Sequence, residues 1–230
     1  MKFVKFIFAL LLLPALAAAA WWLGWTVWRH AQHWREISPL YLGCFAAGFS
    51  LMAGVYLFLP RWNWLYVFGH ETTHALAVIM SGGKVSEFKV GSDGGHIASD
   101  KTSMWIALSP YIVPFYPLTV GLAWFAARWW WPPLAAWEWA FVAVWGAAWA
   151  FHACFTVSLL KTDQPDFASQ GWFFSMVVIL LCNALIVGGL LWLWLEPEHW
   201  RVGLSGLWDC ARQSYLFCAE QLRALYRLAF

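Results

Sequence analysis

The sequence predicts an all-α integral membrane protein of about six transmembrane helices, with a small β-hairpin and a C-terminal amphipathic helix. Three observations predict it. First, 62% of the 230 residues are hydrophobic and 11% are charged, where an ordinary soluble domain carries about 25% charged residues. Second, six apolar runs are long enough to span a bilayer or nearly so. Third, many of the 21 tryptophans fall at the ends of those runs. An apolar ring with one N–H suits the membrane interface. The lipid bilayer is therefore read as the main solvent. This composition excludes a secreted disulfide scaffold and a disordered regulator. A net charge of +2 gives no electrostatic footprint for a nucleic-acid partner. The five cysteines form no C-x-x-C pair, so neither a disulfide framework nor a thiolate metal site is read.

The elements follow in order. Phe6 to Trp28 reads as a retained membrane helix, a cleaved signal being the alternative. Polar residues Arg29 to Ser38 form the first loop, and Pro39 to Pro60 the second run. Residues 64–80 form the third run, which ends at Ser81-Gly82-Gly83 and carries His70-Glu71-Thr72-Thr73-His74. Residues 84–101 read as a hairpin, because Glu87 to Val90 alternates and Gly91-Ser92-Asp93-Gly94-Gly95 is a turn cluster. The fourth run is 104–127 and contains Pro110, Pro114 and Pro117. The fifth, 134–160, holds His152, and the sixth, 172–195, holds Asn183. Between them lies a polar loop with Asp163, Pro165 and Asp166. Residues 1–195 are thus a polytopic core. Residues 196–230 are an amphipathic segment, one helix or two, expected on the membrane surface. No repeat of fixed period is evident. With the N-terminus inside, eight Lys and Arg fall on the cytoplasmic side and six on the other, which leans towards cytoplasmic termini.

The chemistry sits in the third run. His70-Glu71-Thr72-Thr73-His74 is H-E-x-x-H. On a helix, residues four apart are turned by about 40° and separated by about 6 Å, so both imidazoles share one face and can bind one zinc ion. Glu71 adjoins the first histidine, where it can act as general base towards a water. Charged groups near mid-bilayer cost about 2.5–3.5 kcal/mol each on the insertion scale, so such a cluster asks for a function.

The motif within an apolar run resembles the site-2 protease class of intramembrane zinc metalloproteases, in its compact bacterial M50-like branch. The stretches that carry the resemblance run over about residues 64–190. They are His70 to Ala75; Gly82-Gly83-Lys84-Val85 leading to Gly94-Gly95-His96; Leu108-Ser109-Pro110-Tyr111 with Pro114 and Tyr116; Phe151-His152 through Thr156 and Leu159 to Gln164-Pro165-Asp166; then Phe174-Ser175 and Asn183. The resemblance implies one Zn²⁺, a membrane-protein substrate with a transmembrane segment, a bacterial inner-membrane location, and hydrolysis of a peptide bond in or near the membrane. The class carries its third ligand in a Leu-Asp-Gly motif, which this chain does not have.

The third ligand is therefore open among Asp166, His152 and Asp163. Asp166 is preferred, because Pro165 lets the chain leave the helix axis and six residues from Leu160 reach up to roughly 20 Å. His152 is the main alternative, or a neighbour orienting the site. Asn183 is a candidate donor to a developing oxyanion, or else an interhelical contact. Glu138 reads as an interfacial charge, His96 as a hairpin residue, and Lys84, Lys89 and Lys101 as solvated. The hairpin edge offers a way to hold an extended substrate by β-augmentation. The alternative function is a non-catalytic membrane metal-binding or transport protein.

Overall fold

A computed structural model describes residues 2–30, 38–59, 63–92, 94–160 and 164–229. In chain order the elements are α1 (Lys2–His30), α2 (Pro39–Phe58), α3 (Asn63–Met80), β1 (Val85–Gly91), β2 (Gly94–Ser99), α4 (Met104–Ile112), α5 (Phe115–Trp130), α6 (Glu138–Leu160), α7 (Pro165–Gln170), α8 (Trp172–Leu195) and α9 (Trp200–Ala229). A 3-10 turn, Pro132–Trp137, leads into α6, and another, Pro197–His199, into α9. The arrangement is that of a mainly helical membrane protein with one two-stranded hairpin.

Among the described residues, four stretches are long and apolar enough to cross a membrane: Lys2–His30, Pro39–Phe58, Pro132–Leu159 and Trp172–Leu195. A fifth is the pair α4 and α5, if the two count as one span, but they meet at 68°. The single fourth helix expected over 104–127 is thus two helices. Pro114 is the cause: it has no N–H to donate and it drives the preceding residue out of the α region, and Val113 is extended (φ −85°, ψ 115°). The third run folds as α3, yet its polar motif keeps it outside the set of clear spans.

The chain divides into two compact units. Residues 35–168 form one. Within it α2 and α6 pack tightly, because each presents a glycine to the backbone of the other. A Cβ on Gly48 would fall 1.8 Å from the Ala143 carbonyl oxygen, and one on Gly146 would fall 2.4 Å from that of Phe45. Small residues let membrane helices approach this way. Glu138 meets Arg128 at 3.3 Å and accepts from Tyr41, also at 3.3 Å, so it does sit as a paired charge at a helix end. Trp129 and Trp130 are more than four-fifths exposed, as expected of interfacial tryptophans. The hairpin and α4 pack on α3, with Ala77, Val78 and Ile106 buried together and Val85 and Ile97 against them.

Residues 1–34 with 169–230 form the other unit. Its core is aromatic: Trp22 and Trp25 both stack on Trp192. The C-terminal segment is one continuous helix, and α9 packs along α1.

Candidate metal centre

His70 and His74 lie about one turn apart on α3, with Glu71 next to the first, as the spacing requires. Glu71 and His74 are buried, and both imidazoles point the same way: their Nε2 atoms are 3.2 Å apart. Asp166 comes from α7. Pro165 occupies the first position of that helix, where a missing N–H does no harm. Phe167, next in the chain, is 2% exposed and packs against the Tyr111 ring at 4.7 Å, which pins α7 in place. One oxygen of Asp166, Oδ2, then lies 3.6 Å from His70 Nε2 and 3.5 Å from His74 Nε2. Among the described residues, these three are the group of potential ligands whose atoms all lie within 4.8 Å of one another.

Each member is held from behind. His74 Nδ1 donates to the backbone carbonyl of Ile106 at 2.7 Å. That carbonyl is available because its helical partner four residues on would be Pro110, which has no N–H. Ser103 caps α4 by accepting from the Ile106 N–H at 3.1 Å, and so fixes where the carbonyl sits. The bond occupies Nδ1 and turns Nε2, the atom that would bind a metal, towards Asp166 and His70. His70 Nδ1 is hydrogen-bonded to the Tyr66 hydroxyl at 2.6 Å, one turn back on α3. The Tyr66 ring in turn stacks on Phe155 of α6 at 4.6 Å. The Tyr111 hydroxyl donates to Asp166 Oδ2 at 2.9 Å. Burial alone would raise the Asp166 carboxyl, but hydrogen bonds with His70, His74 and Tyr111 hold it well below the usual carboxylate range. It is therefore an anion at neutral pH.

Two imidazole nitrogens and one carboxylate oxygen suit zinc and leave one position open. Tetrahedral zinc with bonds of about 2.0–2.1 Å needs ligand atoms about 3.3–3.4 Å apart. The three separations here, 3.2, 3.5 and 3.6 Å, bracket that edge length.

The hairpin lies directly over Glu71. A Cβ on Gly95 would fall 2.9 Å from Glu71 Cγ and 2.6 Å from Val67 Cγ1, so only glycine lets β2 come this close. The strands are antiparallel, with Phe88 opposite Ile97 and Lys89 opposite His96. His96 faces Glu87 at 3.4 Å on the exposed side.

The other expected residues fall differently. His152 is not part of the three-residue group; it lines a cavity beside His70 with Thr73, Phe151 and Phe155. Asp163 lies outside the described residues. Asn183 belongs to the other unit, where its amide donates to the Ile179 carbonyl of its own helix at 2.9 Å. Tyr66 and the Ile106 carbonyl were not anticipated. Tyr66 had a signal, since it stands four residues before His70 as His70 does before His74.

Comparison with protein-family models, with curated proteins and with solved structures finds no match for this chain.

Proposed function

We propose that the chain is an intramembrane zinc metalloprotease that hydrolyses a peptide bond in or near a transmembrane segment of a membrane protein. The observation that carries this reading is the convergence of His70, His74 and Asp166 at zinc-like separations, with Glu71 beside the first histidine. Zinc, when bound, would supply Lewis-acid activation of a water and of the scissile carbonyl. His70, His74 and Asp166 would hold it, kept in orientation by Tyr66, the Ile106 carbonyl and Tyr111. Glu71 takes the proton from the attacking water and returns it to the leaving amine. The hairpin, seated over Glu71, holds the unwound substrate as an added strand. On this reading α3 is a sixth membrane element, tolerated because its polar groups face protein, and the site opens in a bacterial inner membrane with both termini cytoplasmic.

The test is zinc content and peptidase activity of the purified chain in detergent, measured side by side for the wild type, Glu71→Gln and Asp166→Ala. One zinc per chain is expected in the first two and activity only in the first. Asp166→Ala should lose both. Zinc without cleavage of any membrane-segment substrate by the wild type would leave a metal-binding or transport protein.

A further inference from the structure

Helices α5 and α6 enclose a feature that the metal centre does not use. They run antiparallel: Trp124 stacks on Phe141 at 4.8 Å, and the Trp145 indole donates to the Pro117 carbonyl at 3.0 Å. Between them the small residues Ala123, Ala127 and Ala140, with Trp124, Trp137 and Phe141, line an open apolar groove of about 420 Å³. That volume is within the range of ligand sites. The lining runs from Val120 to Ala127 on α5 and from Trp137 to Val144 on α6, about 10 Å along each helix. Pro132–Leu159 is long and apolar enough to cross a membrane. The groove therefore starts at one end of a span and runs inward through most of one leaflet, which is half of a hydrocarbon core about 30 Å thick.

The mouth of the groove is polar. Arg128 is next in the chain to Ala127, and Glu138 is next to Trp137. Their side chains meet at 3.3 Å and stay about two-fifths exposed. The other carboxylate oxygen of Glu138 accepts from the Tyr41 hydroxyl, also at 3.3 Å. A closed N⁺–H···O⁻ bond measures about 2.7–2.9 Å, so the ion pair is loose. A guanidinium and a carboxylate each offer more donors or acceptors than these contacts use, and both can take a further partner. Trp129, Trp130 and Trp131 are exposed at the same end of α5, which marks it as the level of the membrane interface.

We propose that this groove binds one phospholipid of the phosphatidylethanolamine type. An acyl chain lies between α5 and α6, the phosphate meets Arg128, and the primary ammonium meets Glu138. Charge selects this occupant. A cation and an anion side by side at the mouth match a headgroup that carries one of each. An anionic lipid without an ammonium satisfies Arg128 but sets its charge beside that of Glu138, and like charges repel. A choline headgroup carries the positive charge but has no N–H to donate to the carboxylate, so it forgoes the charge-assisted bond. The apolar walls, free of polar side chains along their length, suit the hydrocarbon part of the same molecule.

The test uses the full chain in detergent, with phosphatidylethanolamine, phosphatidylcholine and phosphatidylglycerol of identical acyl chains, and reads lipid binding by native mass spectrometry. The wild type should hold one phosphatidylethanolamine about tenfold more tightly than either of the others, the worth of one hydrogen bond to a charged group. Glu138→Gln keeps an acceptor for Tyr41 and removes the charge, so the preference over phosphatidylcholine should vanish. Ala127→Phe fills the groove from an exposed position and should weaken all three lipids about tenfold or more, since the acyl chain loses its seat. Thermal melting of both variants checks that they fold, and the headgroup preference of the wild type stands without either substitution. None of these readings depends on proteolysis. Equal affinity for the three headgroups, or tighter binding of phosphatidylglycerol, overturns the proposal. So does a preference that survives Glu138→Gln, or binding indifferent to Ala127→Phe.

Discussion

Helices α3 and α9 both carry ionisable side chains in a chain that is 62% hydrophobic, and they handle them in opposite ways. On α3 the histidines turn to one point, meet Asp166 from α7, and are braced by Tyr66 and the Ile106 carbonyl. On α9 the charges are strung in a line, all exposed, with no acid–arginine pair closed among the described residues. Convergence with bracing is what an ion or a reaction centre needs, because ligand direction must be fixed before binding. Exposed charges without such support offer a ligand no fixed direction. The residue types overlap; spacing and support separate the two roles.

The strongest way to break the comparison is at the point of convergence. His70→Ala or His74→Ala leaves two ligands, and complete loss of bound zinc and of proteolysis is expected in metal analysis and substrate cleavage assays. Retained stoichiometric zinc in either variant would remove α3 as the ligand helix. Glu71→Gln is next. The amide fills the same space but accepts no proton, and loss of a general base is worth about 10²–10⁴-fold in rate with zinc content unchanged. Near-normal turnover would rule out Glu71 as the base.

Bracing can be tested separately from ligation. Tyr66→Phe removes the partner of His70 Nδ1, and changes of this kind cost about 10–100-fold in metal affinity. Competition with a zinc chelator reads it directly. Pro110→Ala acts on the other histidine: the new N–H competes with His74 for the Ile106 carbonyl. A smaller fall in affinity is expected, because a carbonyl has two lone pairs and already serves both His74 and Ser109. Equal chelator resistance in both variants would mean that the ligands need no bracing.

How legible these features were depended on their range. H-E-x-x-H could be read because both histidines lie within one turn, and the hairpin because Gly91 to Gly95 marks its turn. Helix α8, Trp172–Leu195, matched the apolar run residue for residue. Asp166 could be nominated from Pro165 but not placed, since what seats it is Phe167 against Tyr111, a contact across 56 residues. Apolar content says nothing about the direction of a helix axis, so the 68° turn at Pro114 was hidden inside one hydrophobic run. Six-residue α7 lay in a loop too polar to announce a helix.

The smallest expected effect falls on Arg227, in the last turn of α9, where a cation complements the exposed carbonyls by about 0.3–1 kcal/mol at most. Arg227→Gln should therefore cause only slight fraying of the final turn by hydrogen exchange, with zinc content and turnover unchanged. Lost zinc in that variant would mean that the charges of α9 serve the centre after all, and the contrast between the two helices would fall.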